Sequence, residues 1–222
     1  MPLVNPAFRA VGSINPARFV SPAGNADFSV ASSGIVTTGT TSTSTSITAI
    51  PVPNGICNGS QVVGSGVPAG AYVVSGGGTA SIVISAATSS SLTGTALTFY
   101  GKPIGIAQDG SKFPQTADGW GSGATTVAAE DGDQLLVYGL GEVCLLEVDS
   151  SGGASSAAPP IVAGDWLVTN SVGKGVKFTN NSGNGTADNL PIHIGAIALE
   201  SPTSGSDSSL IRVQVVNFTF TQ

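Results

Sequence analysis

Twice in this chain a Gly-Asp turn runs straight into an apolar strand, and that pairing constrains the fold more than any other feature. Glu130-Asp131-Gly132-Asp133 leads into Gln134-Leu135-Leu136-Val137, and Val162-Ala163-Gly164-Asp165 leads into Trp166-Leu167-Val168. A second echo brackets the pair, with Pro103-Ile104-Gly105-Ile106-Ala107 before it and His193-Ile194-Gly195-Ala196-Ile197-Ala198-Leu199 after it. Short strands introduced by a recurring turn and flanked by Ile-Gly segments predict a small all-β unit with internal quasi-symmetry. The abundance of Gly (31) and Pro (13), and the lack of any stretch with sustained helical periodicity, point the same way.

Charge divides the chain. Only 9% of the residues are charged, against roughly 25% in an ordinary soluble domain, and none lies between Asp27 and Lys102. That window opens with the low-complexity tract Thr37 to Ser46, which reads as a linker or an exposed β-rich edge. Strand signals follow at Ser46–Ile50, Gln61–Val63, Ala71–Val74, Ala80–Ser85 and Leu97–Tyr100. We therefore expect residues 37–100 to form an inserted, uncharged β module. The flanks, 1–36 and 101–222, are expected to form one β domain, since insertions into surface turns add little closure entropy. Within it strands are predicted at Leu135–Tyr138, Val143–Val148, Trp166–Thr169, Val176–Thr179, Ile192–Leu199 and Leu210–Phe220, with a flexible loop from Ser150 to Pro160. In the last strand Ile211, Val213 and Val215 share one parity while Phe218 and Phe220 take the other. That phase change predicts a β-bulge, or a bend between two packing partners, around Val216-Asn217.

Several functions are disfavoured at this level. A net charge of −6 with seven scattered basic residues does not suit a nucleic-acid surface. No uninterrupted apolar run approaches the ~20 residues of a membrane-spanning helix. The segment from Met1 to Phe19 carries Pro2, Pro6 and Pro16 and lacks the apolar block of a secretory signal. Cys57 and Cys144 belong to no Cys-x-x-Cys pair and read as small buried hydrophobes in a reducing cytoplasm.

Candidate chemistry is thin. Glu130, Asp131 and Asp133 form the one acidic cluster, but Leu135 stands where a calcium loop needs another oxygen ligand, so the group reads as a solvated turn. The single histidine, His193, lies between Ile192 and Ile194 and reads as structural or surface-facing. Trp120 and Trp166 together suggest a sugar-stacking platform, although Trp166, inside its strand, reads as core. No nucleophile elbow or phosphate loop is present. We expect no catalytic site, no metal and no cofactor.

Taken in order, several segments resemble the bacteriophage head-decoration (capsid cement) proteins. They are Gly12-Ser13-Ile14-Asn15-Pro16-Ala17-Arg18-Phe19-Val20, Ile104-Gly105-Ile106-Ala107, the two Gly-Asp strands, and Ile194-Gly195-Ala196-Ile197-Ala198-Leu199-Glu200 with Ile211-Arg212-Val213-Gln214-Val215. The resemblance implies a compact barrel-like β fold (a β-tulip), homotrimers on the outer surface of a capsid, and no enzymatic activity. It also implies the major capsid protein as partner, with neither nucleic acid nor membrane, in a virion made in the host cytoplasm. The uncharged module is similar to a Ser/Thr/Gly-rich unit of phage virion and tail-fibre proteins, through Gly64-Ser65-Gly66-Val67-Pro68-Ala69-Gly70 and Leu92-Thr93-Gly94-Thr95-Ala96-Leu97-Thr98-Phe99. It departs from the plain decoration pattern. Residues 1–20 are expected to form an extended capsid-contact arm, with Val4, Phe8, Arg9, Val11, Arg18 and Phe19 as anchors. Uncharged strand edges in the module are expected to need burial against other copies or a shell. Rival readings are a receptor- or glycan-binding virion surface module and a β-structured polysaccharide-degrading enzyme.

Overall fold

The structure, a computed structural model, describes residues 8–24, 28–52, 54–110, 127–149, 160–178, 191–202 and 209–221. The described residues are all-β, without a helix. The chain opens with β1 (Phe8–Ala10), β2 (Arg18–Pro22) and β3 (Ser29–Ser32). It continues through β4 (Gly34–Ser42), β5 (Ser46–Thr48), β6 (Gln61–Gly64), β7 (Val73–Ser75), β8 (Ile82–Ile84) and β9 (Ser91–Tyr100). Next come β10 (Gly105–Gly110), β11 (Gln134–Tyr138) and β12 (Val143–Val148). The last four are β13 (Trp166–Thr169), β14 (Gly175–Lys177), β15 (Pro191–Ala198) and β16 (Ser209–Thr221).

These strands make two closed five-stranded barrels, ordered β1-β11-β10-β2-β3 and β12-β14-β13-β15-β16, and one six-stranded sheet ordered β6-β9-β4-β5-β8-β7. The two barrels have the same connectivity. In each, the first strand runs parallel to the third and antiparallel to the fifth (β1 with β3 and β11; β12 with β14 and β16). In each, the second strand sits between the third and the fourth, and the fourth pairs with the fifth. The Ile-Gly echo falls on corresponding strands, Gly105 in β10 and Gly195 in β15. The Gly-Asp echo does not: Asp133 precedes the fifth strand of one barrel and Asp165 the second strand of the other.

A five-stranded barrel is narrow, so small side chains fill it. The first encloses Ala10, Val20, Val30, Ala107, Leu135 and Val137, capped by Ala128 and Ala129. The second encloses Cys144, Leu146, Leu167, Ala196, Ile211 and Val213. The barrels are fused. Phe19 and Ile106 alternate with Val20 and Ala107 along their strands, and while those neighbours serve the first core, Phe19 and Ile106 belong to the second. The Phe19 N–H donates to the Gly173 carbonyl at 2.8 Å, and the Glu147 N–H to the Ala17 carbonyl at 2.9 Å.

Residues 8–20 are therefore not an arm. Phe8, Arg9 and Ala10 lie in a barrel strand, Phe19 is fully buried at the seam, and Arg18 is nearly so. Pro16 does not mark irregular chain: it is buried in the turn that opens β2, where Ala17 adopts a φ of 52° and its N–H donates to the Ala107 carbonyl at 2.6 Å. Val4 lies outside the described residues.

The inserted sheet has its own core of Ile47, Ile50, Ile56, Val62, Ile82, Ile84, Leu97 and Phe99 among others. Its incoming and outgoing strands pair at their base, Gly34 opposite Tyr100, and the Gly101 N–H donates to the Ser33 carbonyl at 2.8 Å. The tract Thr37 to Ser46 is neither linker nor edge. It supplies the interior strand β4, paired to β9 on one side and β5 on the other, with Thr41 buried and its hydroxyl donating to the Ser90 carbonyl at 2.8 Å. The expected bare edges are also covered. Gln61 bridges Tyr72, the Val62 N–H donates to the Ala71 carbonyl at 2.9 Å, and the Val73 N–H donates to the Ser60 carbonyl at 2.9 Å. The outermost strands thus meet and roll the sheet around its core.

The predicted bulge in the last strand is present. Ile194 pairs with Phe218 and Ala196 with Val215, so Val216 and Asn217 together oppose Gly195.

Candidate interaction surfaces

The acidic groups are consumed by turn geometry. In Glu130–Asp133 the Glu130 N–H donates to Asp133 Oδ2 at 3.1 Å, and the Asp133 N–H returns to the Glu130 carbonyl at 3.0 Å. Val162 and Asp165 repeat this at 2.7 and 3.1 Å. A third copy, Gly139-Leu140-Gly141-Glu142, does the same with a glutamate, at 2.6 and 3.1 Å. The third residue of each turn is a glycine at φ 86°, 85° or 93° (Gly132, Gly141 and Gly164), the left-handed conformation that this turn requires and other residues resist. Sequence reading missed the third copy because Glu replaces Asp, although the spacing from glycine to carboxylate is unchanged. Asp131 accepts the Gly12 N–H at 3.0 Å, so the acidic cluster fastens the N-terminal chain to the β11 turn. Among the described residues no group of three or more His, Cys, Asp or Glu is placed to hold a metal ion.

His193 stands on β15 with Nδ1 2.7 Å from Thr219 Oγ1. Burial, and then the nearby Lys102 ammonium, hold its pKa below the ordinary imidazole value. The two cysteines are free and buried, Cys57 in the connection between β5 and β6 and Cys144 in the core of the second barrel. Burial, with Glu142 second, pushes the Cys144 thiol up to about 12.

One charged group is built into the seam. Arg18 pairs with Glu147, whose other oxygen lies 2.6 Å from Lys174 Nζ. Arg18 comes from β2 of the first barrel, Glu147 from β12 of the second and Lys174 from the β13–β14 turn, so the cluster ties the barrels across their junction. Glu147 and Lys174 gave no sequence signal, since Arg18 lies 129 residues before Glu147 and Lys174 another 27 beyond it.

Trp166 was expected in the core but is exposed, and it anchors an aromatic group that periodicity did not reveal. Its ring stacks on Phe178 with centroids 6.5 Å apart and meets Phe218 edge-on at 5.4 Å. The buried parity of β13 belongs to Leu167, which points into the barrel and sends Trp166 outward. Trp120, its supposed partner, lies outside the described residues. Register places Trp166 opposite Ile197, Ile197 opposite Gln214, and Gln214 opposite Val143, a row across the four strands β13-β15-β16-β12. A second outward surface lies on the uncharged sheet, where Val63, Thr98 and Val36 stand side by side across β6, β9 and β4, with both valines exposed.

Of the six arm residues, Arg9 is exposed, Phe8 and Val11 are half-buried, and Arg18 and Phe19 face inward. In comparisons with known proteins, no family model, curated protein or solved structure matches this chain.

Proposed function

We propose that this is a non-enzymatic structural protein of a phage virion that binds the capsid exterior and cements neighbouring capsid subunits. The observation that carries this reading is the layout of two fused barrels bearing a module with a core of its own. The segments that resemble the decoration family supply β2, β10, β11, β13, β15 and β16, which are walls of the two barrels. The charge-free module leaves that body through one pair of adjacent strands. The carboxylates of Asp131, Asp133 and Asp165 hold backbone N–H groups. The mechanism is mechanical: a protein that binds only the assembled shell raises the free energy of taking it apart. The major capsid protein is the partner, and the module faces outward.

The direct test mixes purified protein with expanded capsids of the phage that encodes it. Co-sedimentation with the shells and a higher dissociation temperature of decorated shells are expected. Protein that stays in the supernatant at saturating concentration rules the reading out.

A further inference from the structure

We infer that the outer face of β6-β9-β4-β5, on the inserted module, binds a neutral polysaccharide. Val62, Leu97, Phe99 and Ile47 point into the module's core, so their neighbours along each strand face outward. Register sets Val63, Thr98 and Val36 in one outward row, Ala96 and Thr38 in the next, and Thr40 and Thr48 in a third. Successive rows lie about 6.7 Å apart along a strand, and neighbouring strands about 4.8 Å apart. Val36 and Val63 are 59% and 48% exposed, and Thr38, Thr48 and Ala96 are exposed as well. Thr41 and Thr88 direct their hydroxyls to carbonyls within the module. Among the described residues, by contrast, no hydrogen bond takes up the hydroxyls of Thr38, Thr40, Thr48 or Thr98. The face is a regular array of methyl groups and available hydroxyls.

The chemistry of this face selects its occupant. No residue between Asp27 and Lys102 is charged. A ligand bearing phosphate, sulfate or carboxylate is gripped by Arg or Lys, and the module has neither. A cationic ligand would need carboxylates, which are equally absent. Protein partners are anchored on Trp, Tyr and Arg, whereas this array holds only Val, Ala and Thr. An uncharged polyhydroxyl chain meets none of these objections. Each Thr hydroxyl both donates and accepts, as each sugar hydroxyl does, so hydrogen bonds to water exchange for hydrogen bonds to sugar. The Val and Thr methyls lie against the C–H faces of the rings. The array crosses four strands, about 14 Å, which suits an extended chain better than a single sugar. The net charge of −6 lies wholly outside the module and disfavours the approach of anionic glycans. Because the face is shallow and has no stacking aromatic, one chain binds weakly, and presenting many chains together raises avidity by ~10²–10⁴.

The inference does not rest on the capsid reading, and its test uses the purified full chain without capsids. Affinity electrophoresis compares mobility in native gels containing dextran, mannan, galactan or the uronate polymer alginate with mobility in a plain gel. Retardation is expected in at least one neutral gel and not in alginate. Thr38→Lys/Val63→Lys should abolish it, and both positions are exposed, so circular dichroism and the melting profile should match wild type. Thr38→Val/Thr98→Val keeps shape and strand propensity but removes two hydroxyls, and should weaken binding on the order of tenfold. Trp166→Ala, on the second barrel, should be retarded like wild type. Unchanged mobility in all three neutral gels overturns the inference, as does retardation confined to alginate. Retardation that survives both double variants also overturns it. Loss in Trp166→Ala with retention in Thr38→Val/Thr98→Val would move the sugar site to the second barrel and overturn it equally.

Discussion

Replacing Phe19 by Ala separates a residue that grips a partner from one that joins two barrels. Its side chain is fully buried in the second barrel's core while its strand belongs to the first. Truncating a buried Phe costs ~3–5 kcal/mol, the transfer term plus the cavity left behind. A surface anchor would move stability by no more than about 0.5 kcal/mol in either direction. At ~2–4 °C per kcal/mol for a chain of this size, the melting temperature should fall by roughly 6–20 °C. The seam adds a second check. A methyl group built onto Gly195 would lie 2.5 Å from Phe19 Cε1, closer than atoms tolerate. Gly195→Ala alone should therefore cost ~1–3 kcal/mol by overpacking. In the Phe19→Ala background most of that cost should vanish, because the ring it strikes is gone, giving a coupling on the order of 1–3 kcal/mol. Urea denaturation of the four proteins in a double-mutant cycle measures both effects. A Phe19→Ala loss below about 0.5 kcal/mol, or strictly additive losses, would refute the fused-core reading.

Four further outcomes follow. Glu147→Gln should destabilise by about 3 kcal/mol or more in urea titrations, since it leaves the buried Arg18 guanidinium without its carboxylate. Because the folded pKa of His193 is depressed, its contribution to stability is complete above the unfolded imidazole pKa of about 6.5 and is lost as pH falls through the lower folded value; melting at pH 7 and 5 should show less acid destabilisation in His193→Gln than in wild type. Cys144, with its thiol pushed up to about 12, should resist iodoacetamide at pH 8 in native protein and react once urea unfolds the chain, as mass spectrometry of the labelled peptide would report. Replacing residues 34–100 by a short Gly-Ser link should leave a folded two-barrel protein with a modestly changed melting temperature; aggregation of that variant would show that the sheet is needed to complete the body.

Local signals were legible where strand parity and turn chemistry spoke together. Val143–Val148 and Trp166–Thr169 appear with the predicted bounds, and the phase change at Val216-Asn217 marked the bulge opposite Gly195. What failed depended on contacts far apart in sequence. Whether β13 turns Trp166 or Leu167 inward is fixed by the barrel it joins, so a tryptophan in an apolar strand was assigned to the wrong face. The prolines near the N-terminus suggested irregular chain, but nothing local showed that Arg18 would meet Glu147 or that Phe19 would cross into a second core. The Ser/Thr tract at 37–46 looked like a linker because its stabilising partner, β9, lies some fifty residues on. The surface row on the second barrel draws one residue from each of four strands, and no window of sequence contains it.

The shared connectivity also explains where the extra module sits. The inserted sheet occupies the connection from the third to the fourth strand of the first barrel, between Ser32 and Gly105. The same connection in the second barrel runs from Lys177 to Pro191, through a stretch rich in Asn, Gly and Thr. Lengthening a loop from about a dozen residues to about seventy adds roughly 1.5 kcal/mol of closure entropy, at ~0.6 kcal/mol per doubling. The inserted sheet lowers even that, because it has a core of its own and brings its two ends together, with Gly34 opposite Tyr100. Among the described residues of the connection, none before Ile104 packs into the first barrel's core, so the insertion leaves the packing of that barrel to its five strands and the cap at Ala128-Ala129. Growth at this point therefore alters what the body carries while leaving intact the seam of Phe19, Ile106 and Arg18 that holds the two barrels together.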